Sequence, residues 1–261
     1  MSALLNLWRE NIECKLRELL KPFEPKILYD AMSYYLFQEG KRIRPLLLCA
    51  VCHALGGDVE DAVTVGCAVE MIHNYSLIHD DLPILDDDKF RRGKPTCHVV
   101  FGEDIALLAG DALLTYAFEV LSNPENFRTL SEGELLFLVR ELAVKSGYKG
   151  MVGGQVLDVK KFSDNKEISL KKTAQLFSFC FLAGGVIAKK WELLSSLENA
   201  GLGFGLFFQM VDDYKDKDGF YCVYGEALNY EIQQLKKELT HSLESSGIYT
   251  QEVRHILTMI Y

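Results

Sequence analysis

Strand-like alternation of apolar and polar residues is nearly absent from this chain, which argues against any β-rich fold. Proline is scarce, with six in 261 residues, so few segments are forced to break. No Gly/Ser/Pro-rich tract or shift in composition offers a linker. The seven cysteines form no paired framework. An odd count and the lack of a secretory signal lead us to expect a reducing, cytoplasmic setting. Long hydrophobic runs are also missing: none reaches the ~20 residues of a bilayer span. The most apolar stretch, Leu176 to Ala188, is too short, contains Gly184-Gly185, and reads as a central buried helix. Positive charge is in deficit, 28 Lys and Arg against 37 Asp and Glu for a net charge of -9. That balance excludes nucleic acid as the main partner.

What is present is helical periodicity almost everywhere. Leu5, Trp8, Ile12, Leu16 and Leu19 form one stripe, broken by Lys21-Pro22 and Glu24-Pro25. Further helices are expected near 26–38, 44–55, 60–81, 104–121, 131–147, 152–163, 167–189, 191–214, 225–245 and 249–260. Gly56-Gly57-Asp58, Asn123-Pro124, Gly147 and Gly219 supply punctuation. The expected architecture is an all-α bundle of about ten helices, with residues 1–261 as one domain. Cys49 and Cys52 lie inside an apolar helical run, so this Cys-x-x-Cys reads as two packed thiols and not as a redox or zinc site.

Two aspartate clusters carry most of the information. The first is His79-Asp80-Asp81-Leu82-Pro83-Ile84-Leu85-Asp86-Asp87-Asp88, with Arg91-Arg92-Gly93-Lys94-Pro95 beyond it. Pro83 disfavours helix at Leu82, so the preceding helix should end near Asp81 and let Asp86 swing back toward Asp80. Carboxylates at a helix C-terminus oppose its dipole, and neighbours raise one another's pKa. Both penalties disappear when Mg²⁺ binds. A lone acidic loop would ordinarily be solvated surface; metal-binding acids beside a basic pair suit a Mg²⁺–diphosphate complex. The second cluster is Gln209-Met210-Val211-Asp212-Asp213-Tyr214-Lys215-Asp216. Gln209, Asp212 and Asp216 share a helix face and Asp213 lies on the flank. Gly40-Lys41-Arg42-Ile43-Arg44-Pro45 places three cations at a helix start, where an anion is favoured without metal.

Gly150-Met151-Val152-Gly153-Gly154-Gln155, with Asp158 beyond, lacks the order of a phosphate-binding loop. Lys172-Thr173 opens the most apolar helix. Taken in order, these motifs resemble those of the trans-isoprenyl diphosphate synthase (polyprenyl synthase) family over about residues 20 to 220. Glu70 to Asp80 is especially similar to the bacterial-type farnesyl diphosphate branch. The resemblance implies an isoprenoid synthase-like bundle around a central pocket, and a prenyltransferase that joins isopentenyl diphosphate to dimethylallyl or geranyl diphosphate to give farnesyl diphosphate. It implies up to three Mg²⁺, held by Asp80, Asp86, Asp212 and Asp216, with Asp81 and Asp213 counted among the catalytic residues. Arg91, Lys172 and Lys145 would meet the allylic diphosphate, and Lys41, Arg44, His73 and Arg92 isopentenyl diphosphate. Thr173 and Gln209 would face the developing cation. Tyr75, five residues before Asp80 and roughly 7–8 Å deeper, would set chain length together with Ser76. A homodimer is implied, with 104–121 and 131–147 at its interface.

The chain departs from the family after Asp216, where a longer lysine-bearing loop with a Lys-x-Thr-Tyr-Pro signal is missing. Lys215 and Lys217 are the candidate substitutes. Geranyl or geranylgeranyl diphosphate synthesis is the alternative within the class. A non-catalytic modulating subunit of another synthase is the alternative outside it, favoured only by the short loop.

Overall fold

The computed structural model describes residues 2–261. Among the described residues fourteen α-helices follow one another: α1 (Ala3–Leu19), α2 (Lys26–Leu36), α3 (Ile43–Ala54), α4 (Val59–Asp80), α5 (Cys97–Phe101), α6 (Glu103–Ser122), α7 (Glu132–Ser146), α8 (Met151–Lys160), α9 (Asn165–Lys172), α10 (Ala174–Ile187), α11 (Leu194–Asp216), α12 (Phe220–Tyr224), α13 (Leu228–Ser245) and α14 (Gln251–Ile260). The sole sheet there is a two-stranded hairpin, Phe90–Arg91 against Lys94–Pro95. The all-α expectation holds, and most expected segments fall within a few residues of a helix.

The differences have local causes. The segment expected at 167–189 is two helices, because the chain turns at Thr173, which ends α9 and begins α10. The basic run after the first aspartates is the hairpin. Arg92 and Gly93 both have positive φ, 53° and 76°, as a two-residue turn between twisted strands demands. The five-residue helices α5 and α12 are too short for their periodicity to register.

Start signals in the sequence act as caps. Asp58 accepts from the amides of Glu60 and Asp61 to open α4. Ser131 and Glu134 bond reciprocally to open α7. The centre is made by α3, α4, α10 and α11. Helix α10 is buried on nearly every side, and Phe177, Phe179, Phe181, Phe204 and Phe207 fill the space between it and its neighbours. Cys49 and Cys52 are buried thiols within α3.

Helix α6 corrects the expectation about apolar runs. Its 20 residues have the length and composition of a bilayer span. One face packs inward through Ala106, Ala109, Gly110, Leu113, Ala117, Val120 and Leu121, while Leu107 and Leu108 are exposed on the other.

Close approach of α10 and α11 depends on Gly201 and Gly205, one turn apart. A Cβ at Gly201 would lie 2.5 Å from the Cα of Ser178, and one at Gly205 2.4 Å from the Cα of Ala174. Backbone cannot yield as a side chain can. Gly205→Val should therefore lower stability by about 1–3 kcal/mol, read from the urea midpoint. An unchanged midpoint would show that this spacing is not set by glycine.

Candidate active site

Helix α4 ends at Asp80, and the chain then folds back on itself. The amide of Asp86 donates to the carbonyl of Asp80 at 2.9 Å, and Leu85 and Asp87 both close on the carbonyl of Leu82. The turn around Pro83 thus brings Asp86 beside Asp80, as the proline rule anticipates. Asp212 and Asp216 lie in the last turns of α11, which stops at Lys217 in left-handed geometry.

The acids divide into two groups. Asp81 is fully buried; its carboxylate receives the Tyr35 hydroxyl and the Arg91 guanidinium. Asp213 receives the Gln209 amide at 2.7 Å and the Phe220 backbone amide at 2.8 Å. These bonds are the surroundings of Asp81 and Asp213, both expected among the catalytic residues. Their oxygens are spent inside the protein, where Asp81 orients Arg91 and Asp213 ties the end of α11 to the next turn. By contrast, the carboxylates of Asp80, Asp86, Asp212 and Asp216 have no hydrogen-bond or ion-pair partner among the described residues.

Electrostatics follow from that arrangement. Burial pushes the Asp80 carboxyl up to about 6, with Asp86 adding to the rise and Lys172 and Arg91 opposing it. Burial likewise raises Asp86 and Asp212, and Asp216 adds to the latter. A bound cation would relieve all of these penalties. No three acid, histidine or cysteine side chains among the described residues are close enough to enclose an ion alone. Mg²⁺ takes one or two carboxylates and completes its shell with water and phosphate oxygens.

Two cavities meet beside these acids. One, of about 390 Å³, is lined by Tyr75, Ser76, His79, Asp80, Leu85, Met151, Val152, Gln155, Val156, Lys172, Thr173, Gln209 and Asp212. The other, of about 320 Å³, is lined by Glu39 to Arg44, Glu70 and Arg92. Arg44, His73 and Phe208 border both. The second is an anion pocket by construction. Arg42 is buried with φ 49° and bonds to Glu13, Glu70 and the carbonyls of Leu36 and Gln38. It fixes the loop that delivers Lys41 and Arg44 to the start of α3. Arg44 lies 4.5 Å over the Phe177 ring, and its buried Nε has no partner. Arg92 reaches over Gly40, where a Cβ would come within 3.0 Å of its Nη1. Burial, then Arg44 and Arg92, hold His73 well below its ordinary pKa, so it is neutral.

Other predicted residues are placed as follows. Lys172 lines the first cavity and pairs with Asp158 at 2.6 Å. The Thr173 hydroxyl donates to Gln209 Oε1 at 2.8 Å. Ser76 donates to the carbonyl of His73. Lys145 does not join the site; it is buried against Glu198 at 2.7 Å and Ser178 at 3.2 Å. Nor do Lys215 and Lys217 replace the missing loop. Lys215 bonds to the carbonyl of Ile260, while Lys217 sits over the Tyr214 and Tyr221 rings beside Glu226. Sequence reasoning missed Tyr35 and Phe208, and it counted Arg42 with the anion-binding cations although Glu13 and Glu70 hold it; these roles depend on partners distant in the chain.

An apolar cavity flanked by unpaired carboxylates and by cations has the groups to hold a cation and an anion side by side. The chain matches the polyprenyl synthetase family over residues 25–242 and belongs to that family. It is 45% identical over 204 residues to farnesyl diphosphate synthase of Bacillus subtilis, covering 75% of this chain and 68% of that protein. It is 42% identical to the chloroplastic geranylgeranyl pyrophosphate synthase of Capsicum annuum, covering 74% of this chain and 54% of that one. The fold superposes on an FPP/GFPP synthase from Zymomonas mobilis with a TM-score of 0.91, at 35% identity and full coverage of both chains.

The raised Asp80 pKa makes a pH prediction. The folded protein keeps a proton on Asp80 that the unfolded chain releases near pH ~4. The associated stability is fully present below that and is lost as pH climbs through about 6. Metal binding needs the ionised acid, so Mg²⁺–diphosphate protection should grow in the same interval. Thermal unfolding across this range should fall with rising pH more steeply in the metal-free protein than in Asp80→Asn. Equal slopes would remove Asp80 from the titration.

Proposed function

We propose that this protein is a farnesyl diphosphate synthase. It condenses isopentenyl diphosphate with an allylic diphosphate, dimethylallyl or geranyl, and releases diphosphate. The observation that carries the reading is the junction of the two cavities at Arg44, His73 and Phe208, with a metal-free cationic pocket on one side and partnerless carboxylates on the other.

In this reading Lys41, Arg44 and Arg92 bind the isopentenyl diphosphate, and neutral His73 adds a hydrogen bond. Lys172 and the free edge of the Arg91 fork hold the allylic diphosphate. Asp80, Asp86, Asp212 and Asp216 would hold up to three Mg²⁺, which when bound supply Lewis-acid neutralisation of diphosphate oxygens. The allylic C–O bond breaks and its electron pair leaves with diphosphate. The alkene pair of isopentenyl diphosphate forms the new C–C bond. A proton is then lost to the departing diphosphate, restoring a double bond. Thr173 and Gln209 face the cation with oxygen lone pairs, and Phe208 helps exclude water. Tyr75, 5% exposed, forms the cavity floor.

The exposed apolar face of α6 supports a homodimer, with Leu107 and Leu108 at its centre and Leu136 of α7 nearby in the proposed interface. All seven cysteines are free thiols, which supports a reducing, cytoplasmic setting.

Incubation with isopentenyl diphosphate, Mg²⁺ and each starter, with products identified by mass spectrometry, should give a fifteen-carbon chain. Folded, Mg²⁺-binding protein with no product would favour the modulating-subunit reading. Arg44→Ala should raise the isopentenyl diphosphate KM at least about tenfold, the scale of a lost charged contact, and leave the allylic KM nearly unchanged. Tyr75→Ala should lengthen the product. Leu107→Asp with Leu108→Asp should give a monomer by sedimentation; an unchanged dimer would move the interface elsewhere.

A further inference from the structure

Tyr75 does not stand alone at the cavity floor. One turn later on α4, the imidazole of His79 meets its ring edge-on, with centroids 5.7 Å apart and planes at 78°. His79 Nε2 lies 3.0 Å from the carbonyl of Leu107 on α6, so that nitrogen carries the proton and donates it. The imidazole is seated in a notch that exists because residue 110 has no side chain. A Cβ at Gly110 would lie 2.1 Å from His79 Nε2 and 2.3 Å from Cδ2. Side chains do not approach that closely, so any substituent at 110 must lift the ring out of its seat. Both Tyr75 and His79 line the cavity.

We propose that Gly110 and His79 are specificity-determining residues, with the α6 notch setting how far the imidazole sinks and therefore how much room the hydrocarbon tail has beside Tyr75. The proposal rests on the prenyltransferase reading and deepens it. The Leu107 bond holds the imidazole on the α6 side, and the imidazole props the Tyr75 ring. Adding one methyl group at 110 drives the imidazole toward the cavity and narrows it. Removing the imidazole frees the Tyr75 ring to tilt into the vacated space and deepens it. The two changes act in opposite directions, which general loosening of the fold would not produce.

The test compares Gly110→Ala, His79→Ala and the wild type, with urea midpoints measured for each. In Gly110→Ala, use of geranyl relative to dimethylallyl diphosphate should fall about tenfold in kcat/KM, the scale of one hydrocarbon unit rejected by a pocket. In His79→Ala, the ratio of twenty- to fifteen-carbon product should rise. The effect of Gly110→Ala should largely vanish in a Tyr75→Ala background, because the two residues act on one gap. Calorimetry with Mg²⁺ and the thiolodiphosphate analogues of the two starters should show the same selectivity change without turnover. Unchanged starter ratios and product lengths in both folded variants would overturn the inference. If the wild type makes no product, the proposed activity fails, and the calorimetric ratio still decides whether the notch controls tail length. If Gly110→Ala does not fold, His79→Ala carries the test.

Discussion

Unpaired carboxylates are the constraint around which this molecule is arranged. Four of them, Asp80, Asp86, Asp212 and Asp216, stand at two helix ends with no internal cation bonded to them, and burial raises the pKa of the first three. Leaving such groups unpaired costs free energy in the empty protein. The cost persists because each nearby cation has another task. Arg91 is held by Asp81 and Asp88, and Lys172 by Asp158. A site of this kind is poised for a ligand that brings positive charge and phosphate together. The same logic in reverse explains the second cavity, where Arg44 lies over an aromatic face with its Nε unpartnered. The outward acids border the apolar cavity and most of the cations border the other, and Arg44, His73 and Phe208 stand where the two meet.

Neighbouring aspartates in one motif therefore have different duties. Asp80 faces the cavity while Asp81 points into the protein, a 100° step around the same helix end. Asp212 and Asp213 divide in the same way. The inward members make the outward ones usable: Asp81 aims the Arg91 guanidinium, and Asp213 binds both Gln209 and the turn at Phe220. Losing an inward aspartate would remove one partner of the half-buried Arg91 fork, or leave the Gln209 and Phe220 amides without theirs.

Most of the architecture was legible in the sequence because helical stripes, caps and prolines are local signals. The end of α4 and the return of Asp86 follow from Pro83 alone. The break at Thr173 was not legible, since helix-compatible residues run through Lys171-Lys172-Thr173-Ala174 with no glycine or proline to mark it. The Arg92-Gly93 hairpin was obscured by a non-glycine residue at positive φ. Among site residues, charge and spacing identified the outward acids and the cations of the anion pocket. The same signals put Asp81, Asp213 and Lys145 with them. Only the fold reveals that Tyr35, 46 residues before Asp81, claims that carboxylate, or that Glu198 claims Lys145. Composition says how many charges there are, not which are already neutralised.

The segment after Asp216 shows how a short connection changes the site it borders. Gly219 takes φ 47°, and a Cβ there would lie 2.1 Å from Asp213 Oδ2, so the chain passes directly over that carboxylate. Phe220 then donates to it and starts α12 at once. The Lys217 ammonium is occupied by two tyrosine rings and by Glu226, which also receives both tyrosine hydroxyls. A lysine engaged in this way must give up those contacts before it can meet a phosphate. In the proposed reading, a metal held by Asp212 and Asp216 would then carry more of the diphosphate's neutralisation on the α11 side than side-chain cations. In the proposed reading the cavity walls, Phe208 and Leu85 among them, help exclude water. In that reading the short segment would shift the electrostatic burden from lysines to fixed acids, which stand in place before the substrate arrives.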